Sequence, residues 1–225
     1  MTPHILLINP NSSLATSDMM LAIAQKAAAG KLDVIVVTAD RSPSMIVTPE
    51  QLTASAAQVV ELGTAHGRDC AGIIVSAFGD PGLAELRRKV SVPVVGICEA
   101  SMIEASQGGR RFAVATSTPD LAEAIDQRAH DLGLGHLYTG VRCTVGDPLA
   151  LAADAGLLAE ALAGAVEECI ELDGAEAIII GGGPLGQAAE ALRTRFGRPV
   201  LGPIPCAVER ALDLFDQAGT MPKAI

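Results

Sequence analysis

Residues 72–82 read GIIVSAFGDPG and residues 177–186 read AIIIGGGPLG, so one kind of segment occurs twice, about a hundred residues apart. Each is a short run of Ile, Val and Ala that ends in small residues and a Gly/Pro turn. Such a run predicts a strand that is buried on both faces, as in a parallel sheet. Both runs continue into a helical pattern and then into nearly the same letters, PVVG at 93–96 and PVLG at 199–202. The sequence therefore predicts two similar α/β halves.

The rest of the chain follows the same alternation of strand and helix, which predicts parallel sheets with right-handed crossovers. We expect an α/β fold of two pseudo-symmetric domains, each with a four-stranded parallel sheet flanked by helices. Residues 1–108 and 207–225 are predicted to form the first domain, with the last helix, 207–217, packed there. Residues 109–206 are predicted to form the second, and the active site is expected in the cleft between them.

The composition limits which partners, cofactors and cellular location we expect. The 225 residues include 49% hydrophobic and 19% charged residues and carry a formal net charge of −10. Without a basic cluster to neutralise phosphates, nucleic acid and anionic membrane are not expected partners. The five Cys and four His show no metal-ligand spacing, and an odd Cys count does not suggest a disulfide framework. With no leader and no membrane-spanning run, we expect a reduced, cytoplasmic protein without a bound metal.

Small and polar residues follow several of the predicted strands. Because ligands bind beyond the carboxyl ends of parallel strands, these residues are the candidate substrate-binding set. They also precede helix N-termini, whose free N–H groups suit a small carboxylate, imide or enolate oxygen. The alternative is that each polar member is only a helix cap. The set comprises Asn9, Asn11, Ser76, Ala77, Phe78, Thr116, Ser117, Thr118, Gly181, Gly182, Gly183 and Pro184.

Five motifs carry a more specific resemblance. INPNSS at 8–13, TPEQ at 48–51, FGDPGL at 78–83, PVVGI.EA at 93–100 and DGAEAIIIG at 173–181 resemble the hydantoin-racemase branch of the aspartate/glutamate racemase superfamily. The resemblance covers nearly the whole chain. It implies a cofactor-free active site between two pseudo-symmetric domains, a small-molecule substrate and a homo-oligomer. It also implies one catalytic Cys from each half, on opposite faces of the substrate.

This sequence departs from that pattern at both thiol positions. The first falls on Ala77 and the second on Gly182. Neither side chain can carry a proton, so racemisation by two thiols at these positions is unavailable. Superfamily decarboxylases keep one thiol and replace the other by Gly, so this chain departs further than they do.

Four other residues are candidates for the acid–base chemistry. Asp80 and Glu99 are the carboxylates nearest the strand ends, and partial burial can raise a carboxyl pKa into a useful range. Asp80 before Pro81 is also a typical helix N-cap, and Glu99 can instead tie down a loop. Cys98 and Cys206 follow the two related strands and could form a relocated thiol pair, although free Cys is more often a small core residue.

Three hypotheses remain from the sequence. The first is a cofactor-independent enzyme that acts on a small hydantoin-like or carboxylate substrate and stabilises an enolate-type oxygen, with Asn11, Thr116 and Ser117 among the donors. Its reaction would be an isomerisation or racemisation, with decarboxylation or ring opening as variants. The second is a binding protein that kept the pocket without the chemistry. The third is a racemase with the relocated thiols Cys98 and Cys206. Gly181 to Gly183 lack the spacing of a dinucleotide or phosphate loop.

Overall fold

The computed structural model describes residues 3–220, with side chains described to residue 217. Residues 221–225, which the sequence analysis assigns to the first domain, lie outside the described residues. The described chain contains two parallel sheets of four strands each, as predicted. The first consists of β1 (His4–Asn9), β2 (Asp33–Thr38), β3 (Gly72–Val75) and β4 (Val94–Gly96). The second consists of β5 (Phe112–Thr116), β6 (Tyr138–Cys143), β7 (Ala177–Ile180) and β8 (Val200–Leu201).

Both sheets have the same strand order. The first runs β2-β1-β3-β4 and the second β6-β5-β7-β8, with every neighbouring pair parallel. Strand β3 therefore corresponds to strand β7. These are the strands of the two repeated segments, 72–82 and 177–186. Strands β3 and β7 are fully buried, as their continuous apolar runs require in a sheet covered on both faces.

Nine helices follow the strands within residues 3–220. Those of the first half are α1 (Leu14–Ala28), α2 (Pro49–His66), α3 (Leu83–Lys89) and α4 (Ile97–Ala105). The others are α5 (Ala122–Asp131), α6 (Pro148–Ala152), α7 (Ala155–Glu171), α8 (Gly186–Leu192) and α9 (Pro203–Thr220). Short 3₁₀ turns lie at Gln107–Gly109, Pro119–Leu121 and Gly183–Leu185.

Side chains cap several of these helices where the sequence suggests it. Ser13 accepts a hydrogen bond from the Thr16 N–H at the start of α1, and Thr48 forms a capping box with Gln51 at α2. The last helix begins at Pro203, four residues before the predicted start. A proline fits there because the first turn of a helix needs no N–H donor.

The apolar core continues from one half into the other. A single cluster of buried residues contains Ile5 and Ile74 of the first sheet together with Phe112 and Ile179 of the second. The last helix, α9, packs on α1 and α4 and against β3 and β4, although it follows the second sheet in the chain. The predicted domain boundaries at 108 and 207 stay a prediction. Among the described residues, no helix combines the length and apolarity that crossing a membrane requires.

Candidate active site

Both sheets offer a ligand site at the same point of their topology. In each sheet the strand order reverses direction beside the first strand, between β1 and β3 in one and between β5 and β7 in the other. In open α/β sheets, such a switch point opens a crevice beyond the carboxyl ends of the strands. The residues after these four strands meet in one cavity, so the two crevices combine into a single site.

This cavity has an empty volume of about 500 Å³. Eleven of the twelve predicted substrate-binding residues line it; the exception is Asn9. That these residues contact a substrate stays a prediction. The described lining comprises Asn11, Met45, Ile46, Leu52, Ser76, Ala77, Phe78, Thr116, Ser117, Thr118, Leu121, Gly181, Gly182, Gly183, Pro184 and Leu185.

Asn9 lies behind the cavity wall and fixes the orientation of Asn11. Its Nδ2 donates to Asn11 Oδ1 at 3.0 Å, and its Oδ1 accepts from the Asn11 backbone N–H at 3.1 Å. Asn11 Oδ1 also accepts from the Ser13 N–H at 3.0 Å. Since two donors already face this oxygen, the amide oxygen and nitrogen cannot exchange places. The Nδ2 group of Asn11 is therefore the donor left for a ligand.

The hydroxyls of the second half are not equally available. Thr116 Oγ1 donates to the Gly181 carbonyl at 2.8 Å, and it lies 3.1 Å from Thr118 Oγ1. Because the Thr116 proton is used in the first contact, Thr118 donates to Thr116 in the second. The predicted role of Thr116 as a donor to substrate is therefore not supported. Ser117 Oγ forms no hydrogen bond with another described residue and remains available.

Backbone N–H groups add donors on both sides. Within the described residues, the N–H groups of Ala77, Phe78, Ser117 and Thr118 donate to no other residue. Ser76 Oγ, at the end of β3, donates only to the thioether sulfur of Met20 at 3.1 Å, which is a weak acceptor. The cavity thus presents several donors that a ligand oxygen can use.

None of the described residues that line the cavity has an ionisable acid or base of the Asp, Glu, His, Lys, Arg or Cys type. Its polar groups are amides and hydroxyls, and the remainder of its wall is apolar. An ionic ligand would therefore lose its hydration without gaining a counter-charge, which costs several kcal/mol. The arrangement favours a neutral ligand with carbonyl oxygens and one apolar substituent.

The strand-end turns of the two halves approach closely. A Cβ atom on Gly183 would lie 3.0 Å from the backbone oxygen of Ser76 and 2.9 Å from Met20 Sδ. A side chain at 183 would therefore push on the Ser76 backbone and on Met20, so glycine lets the turn after β7 pack closely against the end of β3. This contact closes one side of the cavity.

Asp80 does not line the cavity, and it does not cap the helix after Pro81. The helix α3 starts at Leu83 and has no side-chain cap. Instead the buried Asp80 carboxylate accepts from the backbone N–H groups of Cys98 at 2.9 Å and Glu99 at 2.8 Å, so it caps α4. It also lies 3.2 Å from Arg128 Nη2. Burial raises the pKa of Asp80 to about 6, although Arg128 and both N–H groups favour the ionised form.

The other three candidate acid–base residues also lie outside the described lining of the cavity. Glu99 pairs with Arg87, with Nη2–Oε1 at 2.6 Å and Nη1–Oε2 at 3.1 Å, which ties α3 to α4. The Cys98 thiol is buried, and burial raises its pKa well above the usual range. Cys206 lies in a separate groove between α1, α8 and α9, and burial raises its pKa to about 12. Neither thiol is poised as a thiolate.

Sequence reasoning missed the apolar part of the lining. Met45 and Ile46 belong to the long loop after β2, and Leu52 belongs to α2. The loop offered a signal, because it follows a strand of the same sheet and is the longest irregular stretch of the first half. Arg128 was also missed, since it stands among other charged residues in the last turn of α5.

The part of the chain that the structure describes shows no cofactor or metal site. Among the described residues, no group of three or more His, Cys, Asp or Glu side chains gathers as a metal site. The described lining of the cavity also lacks the Lys of a phosphate-binding loop. The sequence prediction of a cofactor-free site remains a prediction.

Comparisons with known proteins give a consistent result. A family model described as Asp/Glu/Hydantoin racemase matches residues 5–211. A hydantoin racemase from Pseudomonas sp. (strain NS671) is 28% identical over 215 residues, covering 94% of this chain and 86% of the relative. An allantoin racemase from Klebsiella pneumoniae superposes with a TM-score of 0.91 at 27% identity, covering 96% and 89% of the two chains. An arylmalonate decarboxylase at 18% identity shares the fold, with a TM-score of 0.65 and coverage of 99% and 96%. The family resemblance that the sequence analysis stated is thereby confirmed.

Proposed function

The chain belongs to the Asp/Glu/hydantoin racemase family, and from that premise we propose that it is a cofactor-independent enzyme of the isomerase type that acts on a small hydantoin-like ring. Two relatives similar to this chain are a hydantoin racemase and an allantoin racemase. Hydantoin and allantoin share a five-membered ring of amides with a carbon acid beside a carbonyl group. A ring of this kind is the substrate class that we assign to the cavity.

The observation that best supports the proposal is a cavity built from both halves, whose described lining offers hydrogen-bond donors and holds no charged side chain. An α-amino acid would bring an ammonium and a carboxylate, and neither would meet a counter-charge on the described lining. A hydantoin brings two neutral carbonyl oxygens and two ring N–H groups. Asn11 Nδ2 and the free backbone N–H groups suit the oxygens, and hydroxyl lone pairs suit the ring N–H groups.

The chemistry follows from the same donors. Removal of the proton at the substituted ring carbon places negative charge on the neighbouring carbonyl oxygen, which becomes an enolate. Donors aimed at that oxygen stabilise the transition state, and one such donor is worth about a hundred- to a thousand-fold in rate. Because no described side chain on the lining is a suitable base, we assign the proton transfer to water or hydroxide in the cavity. The proton leaves to this water and returns from water on either face, so the ring carbon is racemised.

Solvent-deuterium exchange tests the proposal directly. Enantiopure 5-isopropylhydantoin is incubated with the protein in D₂O, and loss of the C5–H signal is followed by proton NMR. We expect exchange above the buffer rate, accompanied by loss of optical rotation. Valine and phenylmalonate are run in parallel, and we expect no exchange of valine. Carbon dioxide released from phenylmalonate without hydantoin exchange would move the assignment to a decarboxylase.

The missing acid–base group favours one second candidate, a protein that binds the same ring without changing it. Calorimetry with 5-isopropylhydantoin separates the two. Saturable binding with no deuterium at C5 after prolonged incubation would identify a binding protein. Any enzyme-dependent incorporation would exclude that candidate.

A further inference from the structure

The segments that form two walls of the cavity also contact each other outside it, through Asp80 and Arg128. The first wall is the turn after β3, with Ala77 and Phe78, and this turn ends at Asp80, whose N–H donates to the Ala77 carbonyl at 3.0 Å. The second wall includes Ser117 and Leu121, directly before α5. Arg128, two turns along α5, reaches back to Asp80. The two walls are thus joined outside the cavity.

Asp80 is held unusually firmly at this junction. Its side chain is 1% exposed, and its backbone φ is +52°, in the left-handed region that a residue with a side chain rarely adopts. A Cβ atom on Gly96 would lie 2.2 Å from the Asp80 Cγ, so only glycine at 96 admits the carboxylate. A strained backbone and an obligatory glycine both place this carboxylate against α4 and Arg128.

The ion pairs that Arg128 forms with described residues are all with the other half of the chain. Its Nη2 lies 3.2 Å from Asp80 Oδ2 and 3.5 Å from Glu99 Oε2, and both of these residues belong to the first half. Its Nε is buried without a hydrogen-bond partner among the described residues. The Arg128 side chain is 24% exposed, yet its Nε is buried and unsatisfied, which costs free energy, so its placement is not explained by stability alone.

We propose that Asp80 and Arg128 form a positioning pair that sets the separation of the Ala77–Phe78 wall from the Ser117–Leu121 wall, and thereby the aim of the donors at the substrate oxygen. The inference rests on the proposed function for its catalytic readout. Neither residue belongs to the described lining of the cavity, so the pair acts through the two walls and not by contact with the substrate. Small displacements of such donors affect the transition state more than substrate binding.

The test compares Arg128→Gln with Arg142→Gln. Arg142 is a matched control because it also forms an Arg–Asp pair, to Asp173 at 2.7 and 2.8 Å, but within the second half. For each variant, kcat and KM for C5 deuterium exchange of 5-isopropylhydantoin are measured. We expect Arg128→Gln to lower kcat about ten-fold with KM within about three-fold, and Arg142→Gln to leave both unchanged. Arg128→Lys, which keeps the charge, should restore part of kcat.

Amide hydrogen exchange by mass spectrometry gives a second readout that needs no substrate. Faster exchange in residues 76–79 and in 117–121 of Arg128→Gln, but not of Arg142→Gln, supports the pair. Unchanged exchange in both walls, or an unchanged kcat, overturns it. If the wild-type protein shows no deuterium exchange at C5, the proposed function fails, and the amide-exchange result alone decides on the pair. If Arg128→Gln does not fold by circular dichroism, Arg128→Lys and Asp80→Asn are judged by the same criteria.

Discussion

Ala77 and Gly182, one from each half of the chain, line the same cavity. They occupy equivalent places in the repeat, two residues beyond the ends of β3 and β7. The resemblance to the family places a thiol at each position, and neither residue can carry a proton. The cavity is thus built from both halves without an acid or base at these two positions, so they are the positions at which a pair of thiols can be introduced.

We expect the double variant Ala77→Cys/Gly182→Cys to racemise 5-isopropylhydantoin at least about a hundred-fold faster than either single variant, because one thiol is needed on each face. Gly182 has φ of 167°, an extended backbone that any residue adopts. The nearest atoms to an added Cβ are those of the flexible Leu185 side chain, at 3.0 Å. Optical rotation measures the rate. Iodoacetamide should abolish the gain.

Two controls make this result specific. Ala77→Ser/Gly182→Ser has nearly the same shape without an acidic thiol and should stay at the wild-type rate. Gly183→Cys places a thiol one residue away, but its Cβ would press on the Ser76 backbone oxygen at 3.0 Å, so it should lower stability and add no activity. A double Cys variant no faster than the double Ser variant would contradict the assignment of the positions.

Asn11→Asp tests the assigned amide donor. The Oδ1 contacts with Asn9 and with the Ser13 N–H can persist, while the donor Nδ2 is replaced by a second oxygen. We expect C5 deuterium exchange to fall about a hundred-fold or more, because an acceptor then faces the enolate oxygen. The melting temperature should change far less than the rate. An undiminished exchange rate would show that this amide does not contact the reacting carbonyl.

The strands and the cavity were predictable because both depend on local patterns. Continuous apolar runs identify β3 and β7, and the small residues after them identify the ends that form the lining. The hydrogen-bond partners of the Asp80 carboxylate were not predictable. Asp80 precedes Pro81 as a cap would, yet its carboxylate accepts from N–H groups at Cys98 and Glu99, which are distant in sequence. Which of two helix N-termini a carboxylate reaches depends on how the helices pack, and the sequence pattern does not contain that distance.

The hydroxyls show the same limit on a smaller scale. Thr116, Ser117 and Thr118 are three consecutive hydroxyl residues that the sequence does not distinguish, and all three line the cavity. Only the structure shows that Thr116 gives its proton to the Gly181 carbonyl. A hydroxyl with one proton can serve one acceptor, so the nearest carbonyl decides whether a donor remains for a substrate.

Alkylation of the native protein tests the relocated-thiol hypothesis. Cys98 and Cys206 are buried and burial raises the pKa of both, whereas Cys143 is only partly buried. We expect iodoacetamide at about pH 7.5, below the usual thiol pKa, to modify Cys143 first and to leave C5 deuterium exchange unchanged. Peptide mass spectrometry locates the label. Rapid labelling of Cys98 or Cys206 with loss of turnover and protection by substrate would revive the hypothesis.

Gly96→Ala should destabilise the protein by about 3 kcal/mol or more, since its Cβ displaces the buried Asp80 carboxylate from its partners. Gly164→Ala is the matched control. Nothing lies within 4 Å of its added Cβ in α7, so it should be neutral or stabilising by up to about 1 kcal/mol. Urea denaturation measures both. Adding Asp80→Gly to Gly96→Ala should recover part of the loss, because the carboxylate that the added Cβ meets is then gone, and glycine also accepts the φ of +52°. Additive losses would mean that the two positions do not interact.

Asp80→Asn tests the titration of the buried carboxyl. The charged groups that face Asp80 are Arg128 from α5 and Glu99 from α4, with the Cys98 thiol beside them, and burial raises the pKa of Asp80 to about 6. A folded-state pKa above the unfolded value, 3.8, means that the folded protein binds the extra proton between these two pH values. This carboxyl therefore contributes stability that is present below about pH 4 and is lost as the pH rises through about 6.

The expected result is that the difference in free energy of unfolding between wild type and Asp80→Asn changes with pH. On going from about pH 7 to about pH 4.5, wild type should gain about 2 kcal/mol in free energy of unfolding relative to Asp80→Asn, since the amide of the variant cannot take up the proton. Other carboxyls change the stability of both proteins and cancel in the difference. Urea denaturation at the two pH values measures it. The prediction would be contradicted if acidification stabilised Asp80→Asn more than wild type. That result would mean that the Arg128 contact and the two N–H donors outweigh burial, and that the pKa of Asp80 lies below its usual value.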